Sequence, residues 1–338
     1  MGEPRVLHFH DCAGVGAALV RAAARQSLHW DYLSADAVRP PHPHHPYFAA
    51  AHQMALLPRN SLAVQRCDVL HVHFGTALAQ AQNLFTPKRP YFLHLHGTDI
   101  RVHWKREQKN GKSTLQRAID QAVKVYYTSI DTRENAETAR SDAEFMPAFI
   151  EPDSLAPWQY SATQQPTIVF VSRWEDIKGA SANIELAAAL RSAFPQVRLE
   201  GLDWGVAAAQ ARRAGVHLLP KLSHAQFISW IARATVAIGQ ACPMLGVSEF
   251  EAMAMGIPIG ALGHRIPRPN DGQIPPIYGG TIDEMIDQVR IALDDPLAAS
   301  LAMRADTWAL RYHVADPYVP ILQSAYRAAA QQAGRIRH

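Results

Sequence analysis

The chain has 338 residues, 48% of them hydrophobic and 19% charged, a globular composition long enough for two α/β domains that each bury a core. A net charge of +3 is too small to imply a nucleic-acid partner and fits only weakly a face for an anionic substrate or a lipid headgroup. Cys12, Cys67 and Cys242 lie far apart without pairing or C-x-x-C spacing, so thiols in a reducing cytosol are expected. The chain enters Arg5-Val-Leu-His-Phe-His10 without an apolar signal region, and no stretch reaches membrane-spanning length. The expectation is a soluble, cytoplasmic protein. A peripheral membrane contact stays open, although no basic amphipathic helix is clear enough to place it.

Val6–Phe9 reads as a first strand, Asp11-Cys-Ala-Gly-Val-Gly16 as the turn after it, and Ala17–Arg25 as an alanine-rich helix. A Gly-x-Gly turn at Gly14 and Gly16 permits close backbone approach to a ligand at the carboxyl edge of a sheet. The dinucleotide fingerprint is disfavoured, because its third glycine falls on Leu19. Pro40-Pro-His-Pro-His-His-Pro46 predicts a polyproline-biased loop with His42 and His45 on one side. Histidines in such loops usually meet only water, so metal binding there is disfavoured.

Cys67-Asp-Val-Leu-His-Val-His73 and Tyr91-Phe-Leu-His-Leu-His96 are buried runs of the kind found in parallel sheets. Each ends in histidine and soon meets a glycine, which sets His73 and His96 at the carboxyl edge where open α/β sheets bind ligands. His71 and His94 read instead as pleat residues with internal hydrogen bonds. After Asp99, the basic segment Arg101–Lys112 reads as irregular and suited to an anionic acceptor. Val123–Ser129 is a strand and Glu134–Arg140 a short helix. Phe145–Asp153 is a crossing segment, and Pro147, Pro152 and Pro157 stiffen the hinge it forms.

Thr167–Ser172 opens a second strand–loop–helix unit, with Arg173-Trp-Glu-Asp-Ile-Lys178-Gly179 before a helix Ala180–Phe194. Two cations on one loop before a helix N-terminus suit a diphosphate and would neutralise it as a leaving group; the plain alternative is a surface loop compensated by Glu175 and Asp176. Val197–Gly201 and Val216–Leu219 are strands, Ala225–Arg233 a helix and Val236–Gly239 a strand. In Gly246-Val-Ser-Glu-Phe-Glu-Ala-Met-Ala-Met-Gly256, Ser248 and Glu251 have capping-box spacing, Phe250, Met253 and Ala254 repeat helically, and Gly256 stops the helix before a strand Ile257–Ala261. Free amides at Gly246 and Val247 make an anion site, with a carboxylate at Glu251 suited to ribose hydroxyls; alone, the stretch also reads as a merely well-capped helix. Gly263–Gly280 is a surface loop, and helices follow at Ile282–Leu293, Leu297–Leu310 and, amphipathic, Tyr318–Ala330.

Glu251-Ala-Met-Ala-Met-Gly256-Ile-Pro258 resembles the E-A-M-A-x-G-x-P signature of retaining glycosyltransferases of family four, the glycosyltransferase group 1 of GT-B fold. The resemblance implies an α/β chain of two Rossmann-like domains facing across a cleft. Residues 1–155 would bind the acceptor, with a C-terminal helix at about 318–335 packing back on them, and residues 156–317 would bind the nucleotide sugar. It implies that Glu251 holds donor ribose, that His96 before Gly97 contacts the donor sugar, and that Arg173 and Lys178 clamp the diphosphate as catalytic cations. Backbone at Lys221 and Leu222 would cup the base, Gly14, Gly16, Gly246 and Val247 would line the donor site, and His73, Asp99 and Arg101 would serve the acceptor.

The implied reaction is retaining transfer of a hexosyl or N-acetylhexosaminyl group from a UDP- or GDP-linked sugar to a glycan, lipid-linked or small-molecule acceptor. Front-face attack assisted by the departing phosphate is the mechanism the resemblance suggests. No Asp-x-Asp triplet occurs, so metal-independent transfer is expected, with no metal and no cofactor beside the nucleotide-diphosphate sugar as co-substrate. Two departures stand out. The second glutamate of the family, eight positions upstream of Glu251, is Pro243 here, although Gly246 matches the last glycine of the family's E-G-F-G segment. Ala148 replaces the asparagine of its P-N-G-V-D segment. Pro243 therefore keeps a second class in view, a catalytically impaired glycosyltransferase-like binding or scaffold subunit. A nucleotide-sugar epimerase of the same fold would need cleft acid/base residues that the sequence does not show.

Overall fold

The computed structural model describes residues 2–39, 46–111 and 113–336. His42, His45 and Lys112 lie outside them. The chain divides into two compact units, Met1–Phe149 with Ala315–His338, and Ile150–Val314. The divisions fall a few residues before those expected at 155 and 317.

The first unit holds six strands, β1 Val6–Asp11, β2 Trp30–Ser34, β3 Val69–His73, β4 Tyr91–Leu95, β5 Lys124–Tyr127 and β6 Glu144–Phe145. They pair in parallel in the order β2-β1-β3-β4-β5-β6. Every residue of β1, β3 and β4 is buried, which is why they read as nearly continuous apolar runs. Leu7, Phe9, Leu70, Val72, Leu93 and Leu95 pack on one face with Leu115 and Ile119. Val6, Val69 and Phe92 face the other way, under Val15, Ala18 and Leu19 of the helix Val15–Arg25 and under Val319, Leu322 and Tyr326 of the C-terminal helix Tyr318–Ile336. That helix completes the first unit. Val319 and Leu322, both fully buried, each stabilise its docking by about 1.5–3 kcal/mol, and Trp30 Nε1 donates to Gln323 Oε1 at 3.0 Å.

The second unit holds β7 Thr167–Phe170, β8 Arg198–Leu202, β9 His217–Leu219, β10 Val236–Ile238 and β11 Ile259–Gly260, all parallel, in the order β11-β10-β7-β8-β9. The order turns back between β7 and β10. In an open parallel sheet a ligand crevice lies outside the carboxyl ends of the strands at that point, which here means the loops carrying Arg173–Gly179 and Ala241–Gly246. In the first unit the same point lies between β1 and β3.

Several elements differ from the sequence reading. Residues expected to be irregular after Asp99 form a π-helical stretch, Asp99–Trp104, that runs into a helix Lys105–Lys109. The helix expected over Leu297–Leu310 is two, Pro296–Met303 and Ala305–Tyr312, separated by Arg304 in the left-handed region at φ 52°. The strand Trp30–Ser34 and the long helix Pro46–Arg66 were not expected; Pro58 inside that helix disguises it, since proline removes a helical hydrogen bond.

Candidate nucleotide-sugar site

In the first unit, strand alternation sets His8 on β1, His71 and His73 on β3, and His94 and His96 at the end of β4 on the face shared by Val6, Val69 and Phe92. Parallel register places His8 beside His71 and His73 beside His94. The rings form a stacked ladder, with centroids 4.8 Å apart from His8 to His71 and from His71 to His73, 5.3 Å from His73 to His94 and 4.6 Å from His94 to His96. Tyr326 of the C-terminal helix meets His71 Nδ1 through its hydroxyl at 2.5 Å, and Thr128 Oγ1 meets His94 Nε2 at 2.7 Å. These two histidines have internal partners, as expected. Burial drives the whole ladder to its neutral form: His8 is pushed down to about 3, His71, His73 and His94 fall well below the ordinary 6.5, and His96 is lowered although Asp99 and Asp11 oppose the shift.

His73 is fully buried with both ring nitrogens engaged, Nε2 by His8 Nδ1 at 3.1 Å and Nδ1 by His96 Nε2 at 3.0 Å, so it offers no atom for the acceptor contact expected of it. The acceptor role expected of Asp99 fails for a related reason: its carboxylate is buried and accepts the backbone N–H groups of Gly75, His96 and Gly97 at 3.0–3.2 Å, tying the β4 loop to the β3 loop. Arg101 is spoken for as well, in a fork onto Asp131 with both contacts at 2.9 Å. Of the five ladder histidines His96 alone is only half-buried; its Nδ1 is buried without a partner, as are His8 Nε2, His71 Nε2 and His94 Nδ1. Gly14 has φ 77° and open space around it. Gly16 serves the ladder instead, since a Cβ there would stand 2.7 Å from His73 Nε2.

In the second unit, the β7 and β10 loops are laced together. Ala241 N donates to the Lys178 carbonyl at 3.0 Å, and Gly179, at φ 71°, has the Ala241 carbonyl where a Cβ would go, 2.2 Å away. Only glycine fits there. Gly179 begins the helix Ala180–Ala193 and Gly246 begins the helix Val247–Ala254, so two helix starts lie at the β7/β10 edge; the amide expected to be free at Gly246 is instead taken by Glu249, and Ala180 N donates to the Glu175 carbonyl at 3.2 Å. Lys178 has no side-chain partner among the described residues. Arg173 pairs with Glu175 at 3.3 Å and lies over the Trp204 ring at 5.0 Å. Lys221 lies over the same ring at 4.3 Å, while Leu222 packs into the apolar core beside Phe227 and Ile228. Pro243 belongs to the β10 loop; its carbonyl accepts from Ile266 N at 3.2 Å, and Arg265 holds the neighbouring Cys242 carbonyl at 2.6 Å.

The expected capping box is displaced. Glu249, not Glu251, reaches back to the helix start, where its Oε2 accepts Gly246 N at 2.8 Å, and its Oε1 accepts Ser172 Oγ at 2.7 Å and Gln240 N at 2.9 Å. Glu251 points elsewhere. It is 4% exposed, burial raises its carboxyl while the His224 contact at 2.6 Å lowers it, and its Oε2 has no partner among the described residues. Sequence reasoning missed Glu249, His224, Trp204 and His8. The Gly246–Glu249 spacing could have revealed the first, since glycine is also a common N-cap.

Two Rossmann-like parallel sheets, joined so that the C-terminal helix returns to the first, define the GT-B glycosyltransferase fold. Solved structures with this fold match the whole chain. Sucrose-phosphate synthase from Thermosynechococcus elongatus aligns over 99% of this chain and 98% of its own at 17% identity and TM-score 0.59. Anabaena HepE in complex with UDP and glucose aligns over 99% of both at 14% and 0.61, and WaaG, a glycosyltransferase involved in lipopolysaccharide biosynthesis, over 96% and 98% at 15% and 0.55. At these identities the likeness is one of fold. No family model and no curated protein matches the chain. Among the described residues, no helix is long and apolar enough to cross a membrane.

Proposed function

We propose that the chain is a retaining, metal-independent glycosyltransferase of family four, which moves a hexosyl or N-acetylhexosaminyl group from a nucleotide-diphosphate sugar to a glycan, lipid or small-molecule acceptor. The observation that carries this is the β7/β10 edge of the second unit, where two helices start on laced loops, Lys178 and Arg173 lie on the first loop, and the buried carboxylate of Glu251 lies on the second helix. Amides and cations suit a diphosphate, and Glu251 Oε2 suits ribose hydroxyls. Base stacking or base contacts fall to the Lys221–Leu222 backbone near Trp204. HepE has been solved with UDP-glucose, which supports a UDP-linked donor. Acceptor binding falls to the first unit, with His96 as its contact to the transferred sugar. The free thiols of all three cysteines support a reducing, cytoplasmic compartment.

In the step itself, the bond from the anomeric carbon to the phosphate oxygen breaks as the acceptor oxygen attacks from the same face, and the departing phosphate takes the acceptor's hydroxyl proton. Arg173 and Lys178 neutralise the charge that develops on the diphosphate. Pro243 in place of a carboxylate supports the second reading, a binding subunit without turnover.

Glu249 and Glu251 separate fold from ligand in one thermal-shift titration with UDP. Glu249→Gln sets an amide N–H against a donor in a buried site and costs about 1–3 kcal/mol, lowering the Tm of the free protein by roughly 3–10 °C. Glu251→Gln loses a pair whose His224 side chain is 57% exposed, so the free Tm barely moves. Its UDP affinity falls by about 1–3 kcal/mol, because an amide cannot accept at both ends. An unchanged UDP-induced shift in Glu251→Gln contradicts the ribose assignment.

A further inference from the structure

Glu251 sits in apolar surroundings. It is 4% exposed on the helix Val247–Ala254, and its chain neighbours Phe250 and Ala252 belong to the core that also holds Phe227 and Ile228. A carboxylate in such a place needs a hydrogen-bond donor or gives up its charge. Among the described residues one side chain meets that need: His224 Nε2 stands 2.6 Å from Glu251 Oε1. An ionised carboxylate has no proton to give, so in the ionised pair Nε2–H donates. Oε2 has no partner among the described residues, and it keeps contact with solvent where other unpartnered atoms are sealed in. The pair therefore spends one oxygen on His224 and leaves the other on offer.

His224 is placed by its own helix. It is the first residue of His224–Ile231, whose start is closed by a capping box: Ser223 Oγ accepts Gln226 N at 3.4 Å, and Gln226 Oε1 accepts Ser223 N at 2.9 Å. Phe227 and Ile228 of the next turn are buried and fix the helix on the sheet. The His224 side chain itself is 57% exposed, so the pair adds little to folding stability. Its effect falls on Glu251. Burial raises that carboxyl, and the His224 contact is the main influence lowering it. The loop before His224 carries Lys221, which shares the Trp204 ring with Arg173, so the carboxyl edge of this sheet runs from the β7 loop to His224 and Glu251.

We propose that His224 is a positioning residue of the donor site: its Nε2–H holds the Glu251 carboxylate through Oε1 and so keeps Oε2 charged and aimed at the ribose hydroxyls. The proposal rests on the ribose reading of Glu251 and adds the residue on which that contact depends.

Calorimetric titration of the full-length chain with UDP and 2′,3′-dideoxy-UDP, and with the corresponding guanine pair, isolates the ribose contact as a ratio of two affinities. Wild type is expected to prefer the ribo form of its base by about tenfold or more. His224→Ala loses most of that preference while its affinity for the dideoxy form stays unchanged, because Glu251 is left to take up a proton or to turn away. His224→Gln keeps the preference, since an amide N–H replaces Nε2–H. The capping box does not use the His224 side chain, and taking the ratio within each variant cancels any change in stability. Equal weakening of the ribo and dideoxy forms in His224→Ala makes His224 a direct diphosphate contact and overturns the proposal. A preference that survives in His224→Ala overturns the positioning role alone and leaves Glu251 as the ribose ligand. A wild type that binds the two forms alike removes the ribose role of Glu251, one that binds neither base removes the donor reading, and either result takes the proposal with it.

Discussion

Acidification unfolds the first unit in a steep transition over roughly pH 6 to 5, well above the range where carboxylates protonate. His8 is held down to about 3 by burial, against the opposing pull of Asp11, and His71, His73 and His94 are held well below the usual 6.5 by burial and then by neighbouring histidines. The unfolded chain therefore takes up protons on these four side chains below 6.5 while the folded chain does not. Stability is fully present above 6.5 and falls as pH drops towards the folded values. One pH unit below 6.5 each fully buried histidine costs about 1.4 kcal/mol, so four cost about 6 kcal/mol, within the range of a whole domain's stability. Tryptophan fluorescence of Trp30, which stacks on His8, follows the event. A first unit that keeps its native signal to about pH 4 contradicts the neutral ladder.

Removing the cations of the β7 loop cripples diphosphate binding and leaves nucleoside binding alone. A charge-assisted hydrogen bond contributes about 1.5–3 kcal/mol, so Arg173→Ala and Lys178→Ala each weaken UDP by roughly tenfold or more, and together by roughly a hundredfold. Lys178→Ala is the larger loss, since Arg173 is already partly neutralised by Glu175 at 3.3 Å and Lys178 is not. Calorimetric titration with UDP and with uridine separates the two contacts. Equal losses for UDP and uridine, or no loss for UDP, contradict the clamp.

The strands that carry the site were legible because parallel strands buried on both faces have few polar residues to confuse them; β3 and β4 announce themselves in the runs to His73 and His96. The loops after β7 and β10 were legible too, as glycines and cations placed between a strand and a helix. What could not be read was pairing at a distance. Asp99 looked like a free acid because its partners are backbone N–H groups of Gly75, His96 and Gly97, which no sequence displays. Arg101 looked like a free cation until the fold brought Asp131 to it. His8 is unremarkable within β1 and becomes part of a ladder only when the register sets it beside His71. The stretch before Gly256 contains two overlapping cap patterns. Side-chain preference favours Ser248 with Glu251, but the lacing of the β7 and β10 loops starts the helix at Gly246 and makes Glu249 the cap.

The central claim is that this chain cleaves a nucleotide sugar with retention and without a metal. Its most direct test is proton NMR of the anomeric signal in a panel of UDP- and GDP-linked sugars, incubated with the full-length protein, with water as acceptor and with or without EDTA. The account predicts that one donor is slowly converted to the nucleoside diphosphate and the α-anomer of its free sugar, at the same rate in EDTA. Release of the β-anomer contradicts retention, a rate that EDTA abolishes contradicts metal independence, and tight UDP binding with no cleavage of any donor makes the chain a binding subunit instead.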